Sequence, residues 1–110
     1  MAKYKIYPSQ LNALKKQIEN SKKEVAENKN YNLDYVKFFV HPDLSNIVIL
    51  KTRTHGISGG QPFDDINYFF FDSKGQIVDF RKNFLDVNAW FSFVSEMRQV
   101  NIVNGELDII

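Results

Sequence analysis

The apolar positions in the first third of the chain repeat with the period of a helix. Between Ser9 and Asn28 they recur at steps of three, four and seven residues, at Leu11, Leu14, Ile18 and Val25. This spacing places them on one narrow stripe of an amphipathic helix, whose other positions carry mostly lysine and glutamate. We expect Ser9 to be the N-cap, the asparagine-rich stretch 28–32 to end the helix, and one side of it to face water.

The middle of the chain is rich in β-branched and aromatic residues, which favour strands. Two such runs, 33–41 and 46–54, are separated by Pro42-Asp43-Leu44-Ser45, and two more, 66–71 and 76–82, surround Asp72-Ser73-Lys74-Gly75. Both connecting sequences have residue types that favour turns. We therefore predict four antiparallel strands joined as two hairpins. The run 67–71 is aromatic on both faces, so that strand is either central or meets a partner.

The last third predicts a second helix and a short β tail. Asp86 can cap a helix that continues to about Arg98, and its wide apolar stripe predicts that this helix is largely buried. The pair Asn104-Gly105 between alternating apolar residues predicts a short C-terminal hairpin. The fold class is therefore α+β, with a four-stranded antiparallel sheet packed against an N-terminal and a C-terminal helix. No repeat or linker divides the chain, so residues 1–110 form a single domain.

Residues 55–63 hold three of the five glycines and one of the three prolines of the chain. This composition opposes both helix and central strand, so we expect a flexible loop there. Alternation along the preceding strand places Lys51, Arg53 and His55 on one side, which makes the far end of that strand basic.

Composition limits the classes of function. The chain has 110 residues, 44% of them hydrophobic and 25% charged, and a formal net charge of +1. Such a balance is typical of a folded domain and lacks the strong positive field of a dedicated nucleic-acid binder. There is no cysteine, which excludes disulfides and thiolate chemistry. The start of the chain has no apolar signal region, so we expect a cytoplasmic protein with no membrane segment.

Three motifs resemble catalytic sites. The sequence Gly56-Ile57-Ser58-Gly59-Gly60 matches the G-x-S-x-G nucleophile elbow, but both histidines precede the serine and no helix pattern follows it. Pro42-Asp43 and Asp72-Ser73-Lys74 resemble elements of metal-dependent nucleases, although turn chemistry explains each pair. His41 and His55 are at opposite ends of a predicted hairpin, too far apart to share a metal. We therefore expect no catalytic residues, no metal and no cofactor.

The segment 68–80 resembles the late hairpin of the NTF2-like and cystatin-like sheets. That resemblance implies a curved sheet that binds a small ligand, with or without enzymatic activity, and Tyr68 or His55 is the polar group we would expect at such a ligand. No site residues are transferred from that family.

The leading hypothesis is a small non-catalytic protein-binding module, such as a stoichiometric inhibitor, an immunity protein or an accessory protein. Its partner would be a larger protein or nucleoprotein, and the Asn- and Lys-rich composition is common in proteins of phages and mobile elements. The residues predicted to make the contacts are Lys51, Arg53, His55, Ile57 and Gln61. The alternatives are the small-ligand protein or enzyme described above and a nucleic-acid accessory protein that uses the N-terminal helix. Assembly of two copies into a homodimer stays open.

Overall fold

Seven strands and two α-helices form the part of the chain that the computed structural model describes, residues 3–110. All neighbouring strands are antiparallel and lie in the order β1-β7-β6-β2-β3-β4-β5. In chain order the elements are β1 (Lys3–Lys5), α1 (Pro8–Glu27), β2 (Tyr31–His41), β3 (Leu44–Ser58), β4 (Gln61–Phe71), β5 (Ile77–Val78), a 3-10 helix (Arg81–Asn83), α2 (Val87–Ser95), β6 (Arg98–Val103) and β7 (Glu106–Ile109). The α+β class and the antiparallel sheet are confirmed.

The prediction of a four-stranded sheet is wrong, because the strands at the two ends of the chain join the same sheet. The predicted C-terminal hairpin forms as β6 and β7, with Asn104 at φ 49° and Gly105 at φ 76° in its turn. It then pairs with β2, where Phe38 lies opposite Val100, and β1 adds to β7. A three-residue strand such as β1 is too short to show a period of its own.

The expected loop at residues 55–63 is instead the end of a long hairpin. β3 and β4 stay paired without a register shift up to Ser58 and Gln61. Gly59 and Gly60, at φ 58° and 80°, form the two-residue turn between them. Two consecutive residues with positive φ are what a type I′ turn requires, and glycine adopts that conformation at low cost. The glycines therefore close the hairpin and do not interrupt it.

The region after β4 is less regular than predicted. The strand expected at 76–82 pairs only at Ile77 and Val78. The Asp86 cap is confirmed, since its Oδ1 accepts a hydrogen bond of 2.9 Å from the backbone N–H of Asn88. The expectation of a largely buried helix is wrong, because no residue of α2 is fully buried and Phe91 is 61% exposed. Neither α-helix in the described residues has the length and apolar content needed to cross a membrane.

The N-terminus of α1 is held by Gln10 and not by a Ser9 cap. Pro8 occupies the first helical turn, where its missing N–H costs nothing. The Gln10 side chain accepts a hydrogen bond of 2.9 Å from the backbone N–H of Tyr7. Ser9 lies inside the helix, and its hydroxyl donates to the carbonyl of Ser73 at 2.7 Å, which joins the helix to the β4–β5 turn.

The two sides of the sheet are covered unequally. α1 packs on one side, which we call the helix-covered face. The buried side chains of the core on this face are Ile6, Leu14, Val40, Val48, Leu50, Phe71, Val100 and Leu107. We call the opposite side the open face. On β2, β3 and β4 it carries Tyr35, Lys37, Phe39, Ile49, Lys51, Arg53, His55, Ile57, Asp64, Ile66, Tyr68 and Phe70.

α2 covers only one end of the open face. Trp90 and Phe93 contact the ring of Phe70, at centroid distances of 6.4 and 6.2 Å, and Phe93 also stacks on His41 at 4.2 Å. The neighbouring Ile49 is fully buried. Beyond this aromatic cover the open face continues toward the tip of the β3–β4 hairpin with half-buried and exposed side chains.

Candidate functional site

Four of the five residues predicted to make contacts lie on the open face. They alternate along β3 and are, in chain order, Lys51, Arg53, His55 and Ile57. Gln61 is separated from them. It pairs with Ser58 across the turn, and the alternation of side chains directs both residues to the other side of the sheet.

Arg53 and His55 are paired with carboxylates from the neighbouring strands. The Arg53 guanidinium donates two hydrogen bonds to Asp64, from Nε to Oδ1 at 3.0 Å and from Nη2 to Oδ2 at 2.6 Å. His55 Nδ1 lies 2.7 Å from Asp34 Oδ1, and Arg53 Nε is 3.8 Å from Asp34 Oδ2. The strand end that the sequence predicted as basic is therefore a mixed-charge network. We call these four residues the charge network.

The register of the β3–β4 hairpin, which places Asp64 opposite His55, and a β-bulge in β2 build the charge network. Leu33 pairs with Thr54 and Tyr35 with Arg53, so Asp34 is one extra residue in β2. Such a β-bulge re-aims a side chain, and here it brings the Asp34 carboxylate to the open face beside β3. The Arg53 guanidinium, by hydrogen bonding and by its charge, lowers the pKa of the Asp64 carboxyl below its ordinary value. The Asp64 carboxylate in turn raises the pKa of Arg53.

A second group on the open face combines lysines with aromatic rings. We call Tyr35, Lys37, Phe39, Lys51 and Tyr68 the aromatic–lysine cluster. Lys51 Nζ lies 5.4 Å from the ring centroid of Tyr68 and 5.8 Å from those of Tyr35 and Phe39, and Lys37 Nζ lies 4.6 Å from that of Tyr35. These distances suit cation–π attraction. This cluster was not among the sites predicted from the sequence, although the alternation of Tyr35, Lys37 and Phe39 along β2 is its signal.

A cleft of about 810 Å³ lies at the hairpin end of the open face, beside the charge network. Ile57 and Asn30 form part of its wall. The backbone just before β2 approaches β3 closely here, since the N–H of Ile57 donates to the carbonyl of Asn30 at 3.1 Å. Gly56 allows this approach, because a Cβ atom on it would lie 2.1 Å from the same carbonyl oxygen.

A smaller cavity of about 380 Å³ lies at the other side of the open face, between the edge of β4 and α2. Ile66, Tyr68 and Trp90 form its largely apolar wall. Arg81 borders it as well, and its guanidinium lies 5.2 Å from the centroid of the Trp90 ring. The cavity therefore combines aromatic and aliphatic surface with two residues of opposite charge, Asp79 and Arg81.

The motifs that resembled catalytic sites are explained by local structure. Ser58 ends a strand opposite Gln61, so it does not occupy the strand-to-helix turn of a nucleophile elbow. Asp72 Oδ1 accepts hydrogen bonds of 2.9 Å from the backbone N–H groups of Lys74 and Gln76, which confirms its role in a turn.

His41 is the last residue of β2 and pairs with Leu44 at the start of β3, whereas His55 lies near the other end of β3. Its Nδ1 accepts a hydrogen bond from the N–H of Asp43, and its Nε2 lies 3.0 Å from the carbonyl of Phe93, which places the proton on Nε2. Glu96 and Asp43 are close enough to His41 to form a potential ligand group, but both imidazole nitrogens are already engaged.

Compared with protein-family models, with curated proteins and with solved structures, the chain shows no significant match.

Proposed function

We propose that this protein is a non-catalytic protein-binding module that contacts a larger protein or nucleoprotein through its open face. A stoichiometric inhibitor, an immunity protein and an accessory protein are the kinds of module that fit this proposal. The observation that carries it is the unequal cover of the sheet: α1 closes one side, whereas aromatic and charged side chains of the other side stay accessible beyond α2.

The composition of the open face supports this proposal. Aromatic side chains and arginine are enriched at protein interfaces, where they supply most of the binding energy. The open face offers Tyr35, Tyr68 and Arg53, all half-buried, together with Ile57 and Ile66, which are 50% and 49% exposed. All five stand on paired strands, so little conformational entropy is lost when they are contacted.

The charge network would give such an interface its specificity. Arg53 satisfies Asp64 by two hydrogen bonds, and its side chain is still 44% exposed. His55 and Ile57 continue the same row toward the cleft. A partner that supplies groups matching this fixed pattern of charges would be favoured over one that does not.

The test is capture of partners with a double variant of the open face. The Arg53→Ala/His55→Ala protein removes one half-buried and one exposed side chain from the open face, and the control Lys15→Ala/Lys16→Ala removes two from the exposed side of α1. We expect wild type and control to capture the same partner from host cells in a fixed stoichiometry, and the open-face variant to capture much less. The melting temperatures of all three are measured alongside. Equal capture by the open-face variant would reject this site.

A second candidate function, small-ligand binding with or without catalysis, is favoured by the pair of His55 and Asp34. The Asp34 carboxylate lies 2.7 Å from His55 Nδ1 and orients the imidazole ring, as in the histidine–carboxylate pairs of general-base catalysis, and both residues line the cleft. A metabolite that raises the melting temperature of the wild type, but not of His55→Gln, would support this function. Failure of every metabolite tested would count against it.

The aromatic–lysine cluster is also the kind of surface on which single-stranded nucleic acid stacks. This observation favours the third candidate, a nucleic-acid accessory protein, by way of the open face in place of the N-terminal helix. Retention of a single-stranded oligonucleotide should then fall steeply with salt and be lost in Lys37→Ala/Lys51→Ala. Retention that is insensitive to salt would exclude it.

A further inference from the structure

The outer edge of β4 is largely unpaired in the described structure. β4 has 11 residues, but β5 pairs only with Phe70 and Phe71 at one end of it. Toward the hairpin turn, residues 61–69 pair with β3 alone. The pairing runs without a register shift, so no bulge twists this edge away from an approaching chain.

The geometry of the hairpin identifies which backbone groups point outward. In a two-residue β-turn the flanking residues, here Ser58 and Gln61, form a hydrogen-bonded pair, and such pairs then alternate along the ladder. Asp64, Ile66 and Tyr68 consequently direct their N–H and C=O groups away from β3. The same alternation requires the N–H of Ile57 to point away from β4, and it does so, toward the carbonyl of Asn30.

Side-chain sites accompany this open edge on both sides of the sheet. On the open face, the 380 Å³ cavity lies directly beside Ile66 and Tyr68 and is walled by Trp90. On the other side, Asp65 presents an exposed carboxylate. A strand added to β4 would place alternate side chains into the cavity and near Asp65.

We propose that an extended peptide segment of another protein binds β4 as an additional, antiparallel strand along Asp64–Tyr68. The segment has alternating apolar and basic residues: the apolar side chains enter the cavity beside Trp90, and the basic ones lie near Asp65. Main-chain hydrogen bonds to the three outward-pointing residues provide the affinity, and the side-chain sites provide the selectivity. This inference rests on the proposed protein-binding function and specifies the class of partner.

A second copy of this chain fits the edge less well than a peptide. Antiparallel self-pairing centred on Ile66 would put Pro62 of the second copy opposite Phe70, where Val78 already lies. Moving the centre of the pairing to Asp65 or to Asp64 places that aspartate directly opposite the same aspartate of the second copy. Like charges directly opposite each other destabilise a strand pair. A short peptide that ends before β5 avoids both conflicts.

The experiment uses a capped peptide of alternating valine and lysine as the probe. When valine side chains face the cavity, the valine amides point to β4 and the lysine amides point away from it. N-methylation of the valine amides should weaken binding by about tenfold or more, whereas N-methylation of the lysine amides should leave it unchanged. Binding is measured by the emission of Trp90, the only tryptophan of the chain. Equal affinities of the two methylated peptides would overturn the proposal.

Two further measurements locate the peptide. On addition of the probe, hydrogen exchange at the amides of Asp64, Ile66 and Tyr68 should slow, while the amides of Asp65 and Asn67, already bonded to β3, should not change. Ile66→Lys should weaken binding of the probe, and the equally exposed Ile57→Lys should not. Absence of binding, or protection at any other strand edge, would overturn the proposal.

The outcome is separable from that of the proposed function. Partner capture that depends on Arg53 and His55, together with no alternating protection along β4, retains the binding module and rejects the edge site. Alternating protection, together with capture that is indifferent to Arg53 and His55, retains the edge site and rejects the open face as the contact surface.

Discussion

The two faces of this sheet differ in how completely a helix covers them. On the helix-covered face, the 20-residue α1 lies against a core whose members include Leu14 and Leu50, exposed by 1% and 0%. On the open face, the nine-residue α2 packs on Phe70 and leaves the rows nearer the hairpin turn accessible. The extent of the covering helix, more than the hydrophobicity of the strands, decides which surface stays available.

The two helices also differ in how well their patterns predict burial. The narrow apolar stripe of α1 predicted one side in water, and this is confirmed: Leu14 on the stripe is enclosed, whereas Lys15 and Lys16 are exposed. The wide stripe of α2 predicted burial, yet Val87 and Phe91 are 51% and 61% exposed. A hydrophobic stripe indicates which side of a helix faces the protein, but not whether the surface opposite is wide enough to cover the whole stripe.

The two faces should differ most in the stability lost when a large side chain is replaced by alanine. Phe71→Ala on the helix-covered face removes a ring that is 2% exposed and should lower the free energy of unfolding by about 3–5 kcal/mol. Tyr68→Ala on the open face removes a half-buried ring and should cost clearly less. Urea denaturation of both variants measures the difference. Equal losses would show that the open face is as closely packed as the covered one.

The anchor of α1 gives the next largest effect. The fully buried Gln10 side chain donates to the carbonyls of Asn46 and Phe71 at 2.7 and 3.1 Å. Gln10→Ala leaves these two carbonyls without their hydrogen-bond donor. It should lower the free energy of unfolding, measured by heat or urea, by about 1–3 kcal/mol. Asn12→Ala, at an exposed position of the same helix, is the matched control and should change stability by less than about 0.5 kcal/mol. If the two variants behave alike, Gln10 does not anchor the helix.

The charge network predicts a smaller effect that depends on pH. The folded-state pKa of Asp64 is lowered by Arg53, so its contribution to stability is complete above the unfolded-state pKa of about 3.9 and is lost as the pH falls through the folded value. Asp64→Asn should therefore remove part of the acid sensitivity of the melting temperature. Asp65→Asn, which leaves the pair with Arg53 intact, is the control. An unchanged pH profile in Asp64→Asn would show that the pair adds no stability.

The smallest expected effect is at the outer side of α2. Phe91→Ser replaces a ring that is 61% exposed and should change the free energy of unfolding by less than about 0.5 kcal/mol. Phe93→Ser should cost more, because Phe93 stacks on His41 and contacts Phe70 and Phe84. Differential scanning calorimetry compares the two. A large loss in Phe91→Ser would mean that the outer side of α2 is covered in solution.

Local signals accounted for much of the fold. The periodic stripe located α1, Asp86 located the start of α2, and Asp72 and Asn104-Gly105 located two of the turns. The pair Gly59-Gly60 led to the wrong prediction of a flexible loop, because glycines suit both a loop and a type I′ turn. Only the strand pairing along the full hairpin distinguishes the two structures. The number of strands depended on long-range pairing, such as that of β1 with β7, which no local pattern encodes.

The candidate site was predicted only as a row. Alternation along β3 correctly grouped Lys51, Arg53, His55 and Ile57 on one side. It could not show that Asp34 and Asp64 neutralise part of this row. The position of the Asp34 carboxylate depends on a β-bulge, and that of the Asp64 carboxylate depends on the hairpin register. Lateral neighbours across strands become visible only once the registers are known.

The pairing of β1 with β7 has a consequence for the order of events during translation. Strands β2, β3 and β4 are joined by short turns and can pair during synthesis of the chain. Residues 3–5 can pair only after residues 106–108, about a hundred positions later, have been synthesised. Strand β1 is therefore synthesised before the other six strands but is among the last to pair in the sheet.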